Sequence, residues 1–167
     1  ARTAGEAVLH HPGDVAGDGF LATLAESLVV SGMAMVVAGT SQPCSGACHE
    51  VSHAIDLLLP ERAGLHGEQV GLGAALASWL RGDLEEFAAI TAALVRHGLP
   101  VLPAQLGLDD EEFVRVLAYA PMTRPGRYTV LEHLALGERE LRAAVADYCS
   151  AAAAYVLLVE PELGVAA

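Results

Sequence analysis

Three observations predict an all-α fold for this chain of 167 residues. Apolar residues recur at three- and four-residue spacing in one segment after another, alternation with period two is almost absent, and glycine, proline and acidic residues punctuate the segments where helices start and stop. The length suits a single domain, 1–167, with enough chain to bury a core. No glycine-rich phosphate loop follows a strand, so a dinucleotide-binding fold within this chain is not expected.

Asp18 caps a helix that carries Phe20, Leu21, Leu24 and Leu28 on one face and runs toward Val37 before Gly39 ends it. The loop TSQPCSG comes next. A helix from about Gly46 to Leu59 places Ala47, Val51, Ala54, Ile55 and Leu58 on its buried side, and Pro60 stops it. Another opens near His66 and reaches Arg81, with Gly67, Gly71 and Gly73 admitting a neighbouring backbone or a ligand at a cost in helix propensity. Asp83 and Glu86 are spaced as a capping box before the stripe Phe87, Ile90 and Leu94, which Gly98 and Pro100 close. The acidic run Asp109 to Glu112 suits the N-terminus of a helix holding Phe113, Val114 and Leu117. APMTRPGRYTVL reads as an irregular connection with one short extended piece, and a last helix spans about Glu138 to Val159. His10 and His11 lie in a Pro/Gly loop and are expected to be solvated.

Charge excludes one class of partner. Twenty-one acidic residues face nine basic ones, all arginine, for a formal net charge of -12, so a nucleic-acid backbone would be repelled. No apolar run reaches the roughly 20 residues of a spanning helix, so no membrane span is expected. Three cysteines make no disulfide framework and favour a reducing compartment, and the cytoplasm is the expected location.

One stretch raises a chemical question. CSGACHEVSHAID contains H-E-x-x-H as His49-Glu50-Val51-Ser52-His53, the spelling of a zinc protease helix. A protease of that kind needs a third ligand. The glycine of the H-E-x-x-H-x-x-G turn is missing, because Ala54, Ile55 and Asp56 come after His53, and Glu68 arrives only after Pro60 and a loop. Haem attachment fails as well, since three residues rather than two separate Cys44 from Cys48. As an isolated pair, His49 and His53 read more readily as hydrogen-bonded histidines on a half-buried face. Cys44 and Cys48 read as small buried residues. Arg124 and Arg127 either hold their loop together or meet a substrate phosphate.

The wider context decides among these. SQPCSGACHEVSHAID, then LHGEQVGLG, then RPGRYTVLE from Arg124 to Glu132 resemble, in order and spacing, the C-terminal helical domain of the glycerol-1-phosphate dehydrogenase family. That family belongs with the iron-containing alcohol dehydrogenases and dehydroquinate synthase. The resemblance covers about Val29 to Arg142.

It implies a multi-helix metal-binding domain of the dehydroquinate synthase-like fold, in which His49 and His66 are metal ligands and His53 is an uncoordinated catalytic histidine beside the substrate. Zinc is the expected ion, with Fe2+ or Ni2+ as substitutes, and NAD(P) the expected cofactor of the whole enzyme. Glu50 then has no metal chemistry to perform, and Glu68 supports a ligand or its own helix start. The implied reaction converts dihydroxyacetone phosphate to sn-glycerol 1-phosphate, a step toward phospholipid, with a polyol or ketose phosphate as the small-molecule partner. Gln42 departs from the arginine that the family places between Ser41 and Pro43.

The family's third ligand, a carboxylate, and its N-terminal nucleotide-binding domain lie upstream of the matched segments. The chain therefore reads as a fragment of a two-domain enzyme, inactive alone, with homo-oligomerisation left open. A related glycerol or alcohol dehydrogenase, a dehydroquinate synthase-type carbocyclase, and a non-catalytic helical interaction module are the alternatives.

Overall fold

The computed structural model describes residues 1–163, and these contain helices and short 3-10 turns but no strand. The all-α expectation holds. The chain divides into two compact units, Ala1–Gly46 and Ala47–Ala167.

The first unit pairs α1 (Arg2–Leu9) with α2 (Asp18–Ala38). The short α1 was not foreseen in the sequence, and it starts without a side-chain cap that could have announced it. Asp18 is the first helical residue rather than the cap, a position held by Gly17, so its carboxylate acts on the helix dipole. Gly39 ends α2 in the left-handed region at φ 64, where glycine carries no Cβ penalty. Of the face that periodicity gives to Phe20, Leu21, Leu24 and Leu28, Phe20 is buried while Leu21 and Leu28 are exposed, Leu28 at 64%. A helix apolar on every side offers no single stripe, so its period cannot say which face packs.

The structure adds to one expectation and corrects another. By length and composition, the helices Asp18–Ala38 and Glu138–Val159 could each cross a membrane, with mean hydropathies of 1.9 and 1.3. The apolar runs looked too short because polar residues such as Glu26 and Ser31 interrupt them without interrupting the helix. His11, expected to be solvated, is half-buried; its Nδ1 accepts from the Gly13 N–H at 2.9 Å, and its ring packs edge-on to Phe20.

The second unit runs through α3 (Ala47–Leu58), α4 (His66–Leu80), α5 (Leu84–Arg96), α6 (Asp110–Tyr119), α7 (Val130–Leu134) and α8 (Glu138–Leu163). Its core combines Val51, Ala54 and Ile55 of α3 with Leu72 and Leu76 of α4, Phe113 and Val116 of α6, and Val145 and Tyr148 of α8. The buried Tyr148 hydroxyl donates to the Val101 carbonyl at 2.8 Å, so the largest core side chain leaves no polar atom stranded. Leu58, expected on the buried side of α3, is 40% exposed. Periodicity gives the apolar face of a helix but not how far along it the neighbours reach.

Helix ends obey local chemistry. Asp109 and Glu112 form a reciprocal capping box on α6, and Glu112 also receives Arg62 at 3.0 Å. At α5 only half the expected box forms: Asp83 accepts from the Glu86 N–H, while the Glu86 carboxylate turns to Arg81 and Ser78. The segment read as irregular contains a 3-10 turn at Ala120–Thr123 and the five-residue α7, capped by Thr129 and Glu132. The spacing T-x-x-E was the missed signal.

Helices α3 and α4 meet at Gly73. A Cβ there would stand 2.9 Å from both Cα and O of Cys48, backbone that cannot rotate aside. Gly73→Ala is expected to destabilise by about 1–3 kcal/mol, more than the roughly 1 kcal/mol of helix propensity that alanine adds. Gly71→Ala should be far milder, because the atom it meets is the mobile Cδ2 of Leu94. Gly67→Ala, with open space around it, should stabilise by up to about 1 kcal/mol. Urea unfolding of the three variants checks this, and equal effects at 67 and 73 would refute the close approach.

Candidate metal centre

Positions 49, 52, 53 and 56 lie at i, i+3, i+4 and i+7, so His49, Ser52, His53 and Asp56 form one polar stripe along α3. The opposite side of the same helix carries Val51, Ala54 and Ile55 into the core, which fixes the rotation of α3 and the direction of the stripe. Close contact at Gly73 brings the first turn of α4 beside it. The His49 and His66 ring centroids are 5.3 Å apart, and those of His53 and His66 6.1 Å. The three histidines singled out in the sequence therefore converge.

Their hydrogen bonds distinguish them. Nδ1 of His49 faces the Cys48 thiol at 3.3 Å, and Nδ1 of His66 meets the Ser52 hydroxyl at 2.8 Å, so each leaves Nε2 for another partner. His53 differs, because the Arg124 guanidinium donates to its Nε2 at 3.1 Å. A lone pair engaged by a cation is not offered to a metal.

Burial and neighbouring charge favour the neutral forms of His49 and His53. Burial, then the neighbouring His66, Arg124, His53 and Arg127, push His49 down to about 4. Burial and Arg124 lower His53, with Asp56 acting in the opposite sense. A neutral imidazole is the form that binds a metal, so the donor set fits zinc at two positions. Among the described residues, no group of three or more His, Cys, Asp or Glu side chains is arranged to hold an ion.

The loop over the site is shaped by Pro125 and Gly126. Gly126 at φ 89 allows a tight turn closed by the Arg127 N–H on the Arg124 carbonyl at 3.1 Å, which sets the two arginines at its ends. Glu50 anchors the segment just beyond this turn. It is fully buried, and the Thr129 hydroxyl lies 2.9 Å from its Oε2 and 2.7 Å from Glu132 Oε2. The hydroxyl has one hydrogen to give, which the two carboxylate oxygens share. Burial and the nearby Glu132 raise Glu50 above the usual carboxylate range, against the lowering bond from Thr129. Sequence reasoning gave Glu50 no role; the structure makes it the tie between α3 and the arginine loop. Glu68 stands in the first turn of α4, where a carboxylate suits the dipole.

No protein-family model matches the chain. It is 42% identical over 118 residues to the glycerol-1-phosphate dehydrogenase (NAD(P)+) of Cenarchaeum symbiosum (strain A), covering 71% of this chain and 32% of that one. The protein of the same name from Thermofilum pendens (strain Hrk 5) is 40% identical over 140 residues, 83% of this chain and 40% of its own. That of Hyperthermus butylicus is 44% identical over 108 residues, 65% and 30%. The chain thus spans about a third of the length of the curated relatives it matches.

Two outcomes are expected. Glu50→Ala should cost about 1–3 kcal/mol by removing the acceptor of the Thr129 hydroxyl, whereas Glu50→Gln, whose amide oxygen can still accept from Thr129, should lose less in urea unfolding; equal losses would deny the Thr129 contact its role as a tie. For His49, the unfolded imidazole takes its proton near 6.5 and the folded one only near 4. Stability is therefore present above pH 6.5 and is lost as pH falls toward 4. With chelator present, His49→Gln should flatten that decline, and an unchanged slope would place its origin elsewhere.

Proposed function

Because this chain belongs by sequence to the glycerol-1-phosphate dehydrogenase family, we propose that it is the metal-bearing helical domain of a longer NAD(P)-linked oxidoreductase in the cytoplasm. The proposed reaction interconverts dihydroxyacetone phosphate and sn-glycerol 1-phosphate. The observation that carries this reading is the pairing of His49 and His66 from different helices, each with Nδ1 engaged and Nε2 open, beside a His53 whose Nε2 is taken by Arg124. A zinc protease helix would instead offer His49 and His53 as equivalent ligands.

His49 and His66 would hold the ion, zinc or in its place Fe2+ or Ni2+, with a carboxylate from elsewhere in the enzyme completing the set. Once bound, the ion supplies Lewis acidity to a substrate oxygen and the nicotinamide supplies or accepts hydride. This chain's own residues do the rest. With Nε2 accepting from Arg124, neutral His53 keeps its proton on Nδ1, where it can be passed to an oxygen that gains charge during carbonyl reduction. Arg124 also discourages a second proton on His53 and, with Arg127, adds positive charge that attracts an anionic substrate. Tight packing of α3 on α4 holds the two ligand histidines at fixed separation.

Metal analysis and kinetics of the full-length enzyme test this. His49→Ala and His66→Ala should each lose tightly bound zinc and turnover together. His53→Ala should retain the metal and lose about 10²–10⁴-fold in kcat. The isolated chain should bind zinc weakly and oxidise no NAD(P)H with dihydroxyacetone phosphate. Zinc retained in His66→Ala but lost in His53→Ala would overturn the assignment.

A further inference from the structure

The polar stripe of α3 contains two residues that the proposed chemistry does not use, Ser52 and Asp56, and both connect to Gln69 of α4. We propose that Asp56, Gln69 and Ser52 are positioning residues that form a one-way hydrogen-bond relay, setting the tautomer of His66 and leaving its Nε2 lone pair for the metal. The tautomer stands on its own; its use for metal binding rests on the functional reading above.

Direction is imposed from the exposed end. Gln69 Nε2 lies 3.1 Å from Asp56 Oδ1, and a carboxylate can only accept, so the amide nitrogen faces Asp56 and Oε1 faces Ser52. Ser52 Oγ is 2.6 Å from that Oε1, an acceptor, and must spend its single hydrogen there. What remains on Ser52 is lone pairs, 2.8 Å from His66 Nδ1. His66 must therefore donate from Nδ1, and in the neutral ring Nε2 is the unprotonated nitrogen.

Burial makes the order hold. Ser52 and Gln69 are 0% and 1% exposed, so the middle of the relay has no solvent with which to reverse its donors and acceptors. The exposed His66 ring and the exposed Asp56 are its two ends. Partners of this kind orient ligating imidazoles and raise their basicity. His49 has only a thiol at the equivalent nitrogen, so the two ligands would be held unequally.

The test separates the relay from the metal. Long-range proton–nitrogen NMR spectra of the metal-free chain, recorded well above the histidine titration range, report which ring nitrogen of His66 carries the hydrogen. The parent should show Nδ1–H. Asp56→Asn changes an exposed residue with little risk to folding, and it should admit the Nε2–H form because an amide can also donate and let Gln69 turn round. Ser52→Ala should do the same, and Ser52→Thr should restore Nδ1–H. Zinc affinity of the full-length enzyme, read by chelator competition, should fall about 10–100-fold in Asp56→Asn and Ser52→Ala and recover in Ser52→Thr. Persistence of Nδ1–H in both Asp56→Asn and Ser52→Ala overturns the relay, and a tautomer shift without loss of zinc affinity overturns its role in metal binding. Unchanged zinc affinity in His66→Ala would instead sink the metal reading while leaving the tautomer result intact.

Discussion

The close approach of α3 and α4 at Gly73 is the constraint on which the site depends. With any side chain at that position the Cys48 backbone would have to retreat, and the first turn of α4 would move with it. His66 and Gln69 sit about two turns and one turn before Gly73, so their distances to His49 and Ser52 are set by this one contact. A glycine that weakens its own helix thus fixes the geometry of four polar side chains on two helices.

Polar chemistry is then built along the seam of α3 and α4, from the buried Ser52 and Gln69 out to the exposed His66 and Asp56. Burial disfavours the charged forms of His49 and His53, and Arg124 adds to the effect. Each imidazole has one nitrogen assigned by a neighbour: the Cys48 thiol for His49, Arg124 for His53, Ser52 for His66. Elsewhere on α3 the Glu50–Thr129–Glu132 contact ties in the arginine loop, so the half-buried Thr129 hydroxyl links the ligand helix to the loop that supplies Arg124.

Much of this was legible. Glycine, proline and acidic punctuation marked the helices from α2 to α6 and α8 to within a residue or two over most of their boundaries, because capping chemistry is local. His49, His53 and His66 were found through three ordered motifs. The features that escaped had weaker local signals or none: α1 lacks a cap, α7 hides its Thr129–Glu132 box in a turn-rich stretch, and the uniformly apolar α2 gave a stripe that does not exist. Glu50 was passed over because its partner lies 79 residues away.

The sequence by itself determined the helical class, the spacing that puts His49, Ser52, His53 and Asp56 on one stripe, and the glycine that lets two helices touch. These are properties of short segments, set by backbone sterics and helical period. Only the tertiary structure decided which nitrogen of each histidine is engaged, that Glu50 is buried, and that Gln69 stands between Asp56 and Ser52. Those assignments depend on donors and acceptors that meet across helices. A hydrogen-bond direction is fixed by the whole connected set, not by any residue alone.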